Sequence, residues 1–280
     1  MLNNIRLLIA ACDHQNIAYD ILHPTQNLVR IRAEQDYFFV NYTVPLLSQA
    51  VAKILIDKDY TYRLLKDSIR SPETLAFFTP FCEEKYKDYL EYGAIADIVQ
   101  KIQTHFTLPV IIKKNRGSSG INVFLCHNPA EITQALENIF EHDSRHYDYV
   151  ALAQEYISIK HEYRAIFLNK KLVLLYEKDN QNATFSGNLS PLHWDGAKAV
   201  QITDESLMQR IQHFVEPVFE ALNIPYGGFD VVRDHNDQLW FIEVNSHPNY
   251  SIFVRDNGDE PVIRVFEQVL EMLINPSSTQ

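Results

Sequence analysis

The stretch GGFDVVRDHNDQLWFIEVNSHPN, residues 227–249, constrains the fold more than any other part of this chain. Phe229–Arg233 and Gln238–Asn245 are rich in Val, Ile, Phe and Trp. Asp234-His235-Asn236-Asp237 separates them with turn formers, so the pattern predicts a β-hairpin. Side chains alternate along a strand, which puts Glu243 and Asn245 on one face. With the turn at 234–237, Asp230 stands opposite Phe241 and joins that face. Carboxylates and an amide oxygen together form a hard, all-oxygen donor set. Mg²⁺ prefers such a set and usually arrives with substrate phosphates. A solvated polar face on an edge hairpin would use the same residues.

A second stretch favours the first alternative. Residues 109–124 read PVIIKKNRGSSGINVF. An apolar run, Pro109–Ile112, ends in Lys113 and Lys114. The small-residue loop Arg116-Gly117-Ser118-Ser119-Gly120 follows, and then a second β-like run, Ile121–Leu125. Glycines let backbone approach a ligand closely, and successive N–H groups can cradle phosphate oxygens. Lys113 supplies a point charge at the strand end. The loop is neither a P-loop nor a G-x-G-x-x-G dinucleotide turn.

With 280 residues, 46% of them hydrophobic, the chain can bury the core of one multi-lobed enzyme or of two domains. Its net charge of −11 argues against non-specific nucleic-acid or membrane-surface binding, both of which need a basic face. No apolar run approaches the roughly 18 residues of a membrane span. The opening MLNNIRLLIAACDHQ lacks a signal-peptide layout. Cys12, Cys82 and Cys126 lie far apart without C-x-x-C spacing, which predicts reduced thiols and a cytoplasmic protein.

Periodicity outlines the rest. Asn3–Gln15 reads as a helix, and Tyr19–Leu22, Leu28–Arg32 and Tyr37–Tyr42 read as short strands. Residues 46–70 carry one helical pattern, which Ser71-Pro72 breaks. Residues 77–92 give no clear pattern. A helix over Asp97–Phe106 precedes the Leu108–Ile112 strand, and Asn128-Pro129 opens another helix. Tyr149–Ile157, Tyr163–Leu168 and Leu172–Glu177 read as strands. Asp179–Ala197 is aperiodic, Asp204–Leu222 and Glu260–Ile274 are amphipathic helices, and Asn275–Gln280 reads as a frayed tail.

At the hairpin and the glycine loop the chain resembles the ATP-grasp superfamily. The resemblance runs from about residue 46 to 275. It includes Asp57-Lys58 with TYRLLKDSIRSPETLAF, then Gln154-Glu155-Tyr156-Ile157, Glu162-Tyr163-Arg164 and Glu177-Lys178. Within the superfamily the chain looks closest to glutamate-ligase, cyanophycin-synthetase and glutathione-synthesis branches. The resemblance implies that Lys58 and Lys113 contact the α- and β-phosphates of ATP, under a lid of Gly117, Ser118, Ser119 and Gly120. Gln154, Glu155, Tyr156 and Ile157 would hold adenine, and Glu162 the ribose. Asp230, Glu243 and Asn245 would hold one or two Mg²⁺, with Mn²⁺ as a substitute. Arg164 and Lys178 would face the γ-phosphate and the acyl phosphate as catalytic groups. Asn188 matches the substrate-loop Asn of glutamate-adding ligases, and His247 and Asn249, with His193, Trp194 and Arg255, lie near the same expected mouth. His247 would then be a candidate base for the incoming amine. Lys114 replaces the proline usual after the lysine, which would loosen the strand end. D-alanine–D-alanine ligases carry Arg where this chain has Gly228, which argues against that product.

The expected fold is therefore α+β: an ATP-grasp fold with two α/β lobes clasping ATP. A shortened amino-terminal domain would cover 1–45, a central lobe 46–155 and a carboxy-terminal lobe with the metal site 156–280. The implied activity is ATP- and Mg-dependent joining of a carboxylate, activated as an acyl phosphate, to an amine. A hydroxyl-directed phosphotransferase and a silent ATP-binding module are the alternatives. The implied partners are a small-molecule carboxylate and amine, with a homodimer among the assemblies allowed, and neither nucleic acid nor membrane.

Overall fold

The computed structural model describes residues 1–275. The tail expected from Asn275 onward lies, after Asn275 itself, outside the described residues. The chain opens with α1 (Asn3–Gln15), whose Ile5, Leu8 and Cys12 fall on one buried face and which ends at left-handed Asn16. Strands β1 (Tyr19–Ile21), β2 (Leu28–Ile31) and β3 (Tyr37–Val40) form an antiparallel sheet.

The single helical pattern over 46–70 resolves into two helices, α2 (Gln49–Ile56) and α3 (Lys58–Leu65). Asp57 makes the break. Its extended backbone leaves the first helix, and its carboxylate accepts from the Tyr60 N–H to cap the second. That geometry aims Lys58 out of the first turn of α3. Strand β4 (Thr74–Phe78) follows and runs into the patternless stretch 77–92, which holds a 3₁₀ turn at Glu84–Tyr89.

Helix α4 (Ile95–His105) precedes β5 (Val110–Lys114) and β6 (Val123–Cys126). Strand β5 does not loosen at Lys114. Unlike a proline, Lys114 keeps its N–H, which bonds to Asn122 O at 3.2 Å, and the strand pairs with β7 through Lys114 and Ala151. Helix α5 (Pro129–Phe140) is capped reciprocally. Asn128 accepts from Glu131 N, and the Glu131 carboxylate accepts from His127 N. With β7 (Val150–Glu155) these strands form a four-stranded antiparallel sheet in the order β4-β7-β5-β6. Its back face, with Ile112, Ala151 and Ala153, packs on Ile98, Ile102, Leu136 and Ile139 of α4 and α5.

Strands β8 (Ile159–Leu168) and β9 (Lys171–Asp179) turn at Asn169-Lys170, both left-handed. After the 179–197 loop comes β10 (Lys198–Gln201), a strand the sequence pattern does not announce. Helix α6 (Glu205–Ala221) leads to β11 (Tyr226–Asp234) and β12 (Leu239–Asn245), the expected hairpin. These complete a five-stranded antiparallel sheet, β10-β9-β8-β11-β12. One face of it packs on α6 through Phe167, Phe229, Val231 and Phe241. Toward α7 (Ser251–Asn257) and α8 (Glu260–Ile274) it presents Ile166, Leu174 and Tyr176. Leu7, Leu8, Val29 and Phe39 join that same core, so the first 45 residues share their interior with the last helices.

Candidate active site

Five strands contribute one row of side chains: Gln201, Tyr176, Arg164, Asp230 and Glu243, each paired with the next. The hairpin register differs from the sequence expectation. Asp230 stands opposite Glu243, and Phe241 stands opposite Val231. From the turn, pairing runs Arg233–Leu239, Val232–Trp240, Val231–Phe241. Continued unchanged, it would set Asp230 against Ile242 and send Glu243 to the core face. A bulge at Asp230/Val231 takes up the extra residue. Phe241 and Val244 thereby stay in the core while Glu243 and Asn245 share the face of Asp230. The common face is as expected; the partner of Asp230 is not.

Asp230 is buried and clasped by two cations. The Arg164 guanidinium donates to both its oxygens, Nη2 to Oδ2 at 2.9 Å. Lys178 Nζ lies 3.0 Å from Asp230 Oδ2 and 2.5 Å from Glu162 Oε1. Burial works against both cations, and the carboxylates more than restore them, so Arg164 and Lys178 titrate above their ordinary ranges. Glu162, for which the resemblance implies a ribose contact, pairs with Lys178.

Burial also opposes the Glu243 charge. Lys58, Lys113, Lys178 and Arg164 outweigh it and hold the carboxyl at about 2. Lys58 Nζ reaches Glu243 Oε2 at 3.5 Å and donates to Gly117 O at 2.7 Å. The Asn245 amide lies 3.3 Å from Glu243 Oε1. Among the described residues no three His, Cys, Asp or Glu side chains converge as a closed metal cage. The oxygens of Asp230 and Glu243, with the Oδ1 of Asn245, whose Nδ2 faces Glu243, would make a smaller, all-oxygen set on this face of the sheet. That suits an ion which keeps waters and shares phosphate oxygens, as Mg²⁺ does.

Across a narrow cleft stands the four-stranded sheet. Lys58, Thr74, Lys113, Leu152, Ile242 and Glu243 line it. Buried Lys113 donates to Gln154 Oε1 at 2.9 Å, and Gln154 Nε2 donates to Thr74 Oγ1 at 2.9 Å. The Gln154 side chain is thus engaged in orienting Lys113. Burial, with help from the Lys58 charge, lowers Lys113 to about 8. Glu155 ties this strand to β4, accepting from Glu73 N at 3.2 Å. Tyr156 is exposed and Ile157 half-buried beyond it.

The glycine loop is anchored by residues outside the sequence expectation. Asn115 Oδ1 accepts from Asp59 N at 2.9 Å. Arg116 donates its backbone N–H to Asp148 at 2.6 Å, its guanidinium to Asp57 at 3.3 Å, and lies over the Tyr149 ring. Asp57 thus caps α3 and steadies the loop together. The Asp57-Lys58 pair at a helix start was the available signal for that capping role. Nothing in the sequence marks Thr74, Asn115 or Asp148. Ser119 and Gly120 take left-handed conformations at the loop tip.

The remaining expected residues scatter. Asn188 bonds the glycine loop through Ser119 O at 2.8 Å. His247 pairs with Ser246 Oγ at 2.6 Å, and burial lowers its pKa. Asn249 is exposed, and its side chain accepts from Ser251 N at 2.9 Å beside the start of α7. His193 sits in the short 3₁₀ turn Pro191–His193, and Arg255 bonds Ala197 O at 2.8 Å.

Residues 87–269 match the RimK-like ATP-grasp domain. The chain belongs to the RimK-like ATP-grasp family. A probable alpha-L-glutamate ligase from Picosynechococcus sp. is 28% identical over 189 residues, 66% of this chain and 58% of that protein. A second protein of that name, from Aeromonas salmonicida, is 26% identical over 162 residues, 57% of this chain and 50% of that protein. The chain spans about half the length of the relatives it matches. Its fold is the ATP-grasp fold. D-alanine–D-alanine ligase from Bacillus anthracis superposes with a TM-score of 0.55 at 18% identity, over 80% of this chain and 67% of that one. A bifunctional glutathione synthetase from Pasteurella multocida gives 0.57 at 14% identity, over 96% of this chain and 43% of that one. ATP-grasp ligases use ATP, and no helix among the described residues is long and apolar enough to cross a membrane.

Proposed function

We propose that this RimK-like chain is an ATP- and Mg²⁺-dependent ligase joining a carboxylic acid to the amine of an amino acid or small peptide. One observation carries it. The row Arg164–Asp230–Glu243 faces Lys58 and Lys113 across the cleft, so paired acids and four cations meet where a transferring phosphoryl group needs both.

In this account Lys58 and Lys113 bind the α- and β-phosphates beneath Gly117–Gly120, and the 154–157 backbone and Glu162 receive the nucleoside. Asp230, Glu243 and Asn245 would hold Mg²⁺, as one or two ions or with Mn²⁺ in its place, and the ion would supply charge neutralisation at the phosphates. Arg164 and Lys178 orient the γ-phosphate and the acid. The carboxylate oxygen attacks the γ-phosphorus, the bond to the β-phosphate oxygen breaks, and ADP leaves. The amine then attacks the acyl carbon, phosphate leaves, and the amine proton passes to a base, for which His247, its pKa lowered by burial, is a candidate. Acid and amine are the partners, and the cytoplasm is the proposed location.

We divide the chain at 1–45, 46–155 and 156–280, with the cleft between the second and third parts. The glutamate-ligase names of the relatives make L-glutamate the first amino acid to try. The test is product mass from Mg-ATP with pools of acids and amino acids. An amide formed with one ADP per bond supports the function. ADP formed with a phosphorylated hydroxyl, and no amide, refutes it.

A further inference from the structure

Asn188 lies in the loop between β9 and β10, and both ends of its amide are engaged. Nδ2 donates to Ser119 O at 2.8 Å, and Oδ1 accepts from Ser190 N at 2.8 Å. The first bond joins two loops 69 residues apart; the second is a local turn that shapes the 179–197 loop. Trp194 braces that turn, its Nε1 donating to Asn188 O at 2.5 Å. The glycine loop is shaped to receive the amide. A Cβ on Gly120 would stand 1.9 Å from Asn188 Oδ1, and Gly120 has φ +68°. At its other end, Gly117 O accepts from Lys58 at 2.7 Å. Beyond its anchors at Arg116, the loop is therefore held at Gly117 by Lys58 and at Ser119 by the 179–197 loop.

We propose that Asn188 is a positioning residue that couples seating of the 179–197 loop to closure of the glycine lid. This rests on the ligase function proposed above. Asn188 acts through Ser119: the hydrogen bonds of its side chain go to Ser119 O and Ser190 N. With the 179–197 loop in place, the amide holds the lid down and shields the acyl phosphate from water. Without the latch, water attacks the acyl carbon, phosphate leaves, a proton is lost, and the original carboxylate returns. ATP is then consumed with no amide formed.

Asn188→Asp isolates the latch, because it keeps the acceptor for Ser190 N and removes the donor to Ser119 O. The first measurement is limited trypsin digestion of the full chain without ligands, following cleavage after Arg116. Cleavage after exposed Lys85 and Lys87 is the internal control. Asn188→Asp and Asn188→Ala should both be cut after Arg116 roughly threefold to tenfold faster than wild type, the scale of one hydrogen bond, with the control sites unchanged. Equal rates in all three proteins overturn the latch. The second measurement is ADP formed per amide. It should rise severalfold in both variants; a slower reaction with an unchanged ratio marks a merely structural residue and overturns the coupling. If wild type makes no amide, the ligase function fails, while the digestion still decides whether Asn188 holds the lid.

Discussion

Asp230 of β11 stands directly opposite Glu243 of β12, and it does so only because a bulge shifts the hairpin by one residue. On its other side Asp230 pairs with Arg164 of β8. The same carboxylate therefore belongs to a candidate metal edge and to a buried ion cluster, and the two roles separate experimentally.

Glu243 lies on the candidate metal edge and is a quarter exposed. Glu243→Gln keeps its volume and its place in the ladder. Turnover should fall by roughly 10²–10³, the scale of losing one preorganised charge at a transferring group. The melting temperature should fall by no more than about 5 °C. A protein that unfolds, or one that keeps its turnover, contradicts the metal role.

Arg164 lies on the ion-cluster side. Arg164→Met leaves Asp230, 4% exposed, with only Lys178 beside it. Urea unfolding should show a loss of about 3 kcal/mol. Arg164→Met/Asp230→Asn should be more stable than the sum of the single variants, by about 1 kcal/mol or more. Additive losses would mean that the two side chains do not act as a pair.

Lys113 sets a pH dependence of opposite sign for binding and stability. Its folded pKa, about 8, lies below the ordinary lysine value of 10.5. The folded chain disfavours the charge, so the free protein should gain stability as pH rises from about 8 toward 10.5. Nucleotide phosphates need the charged form, so ATP affinity should fall over the same rise. Lys113→Met should lose both slopes. Calorimetric titration with ATP and thermal melts between pH 7 and 10 check this; an affinity that is flat in the wild type contradicts the assignment.

Most of the secondary structure was legible because apolar periodicity and turn residues are local signals. The hairpin, α1, α5, α6 and α8 follow from them directly. The bulge was not legible, because nothing within Leu239–Asn245 announces where the extra residue goes; packing of Phe241 and Val244 into the core decides it. The break at Asp57 hid inside a continuous helical pattern, since a capping aspartate also fits a helix surface. Strand β10 is four residues long and gains its place by pairing with β9, which no local pattern reveals.

For the site, the motif residues were readable and their bonds were not. Gln154 is expected to offer its backbone to adenine; that its side chain also orients Lys113, 41 positions away in sequence, has no local signal. Asn188 read as a substrate residue and lies against the glycine loop. Both contacts are long-range, and such contacts leave no trace in spacing.

The proposed chemistry begins with a carboxylate activated by phosphorylation in the Arg164–Asp230–Glu243 row. Its most direct test is hydroxylamine trapping with Mg-ATP and candidate acids. A hydroxamate should form that requires ATP, names the acid by its mass, and disappears in Glu243→Gln. ATP turnover with no hydroxamate from any acid would contradict it.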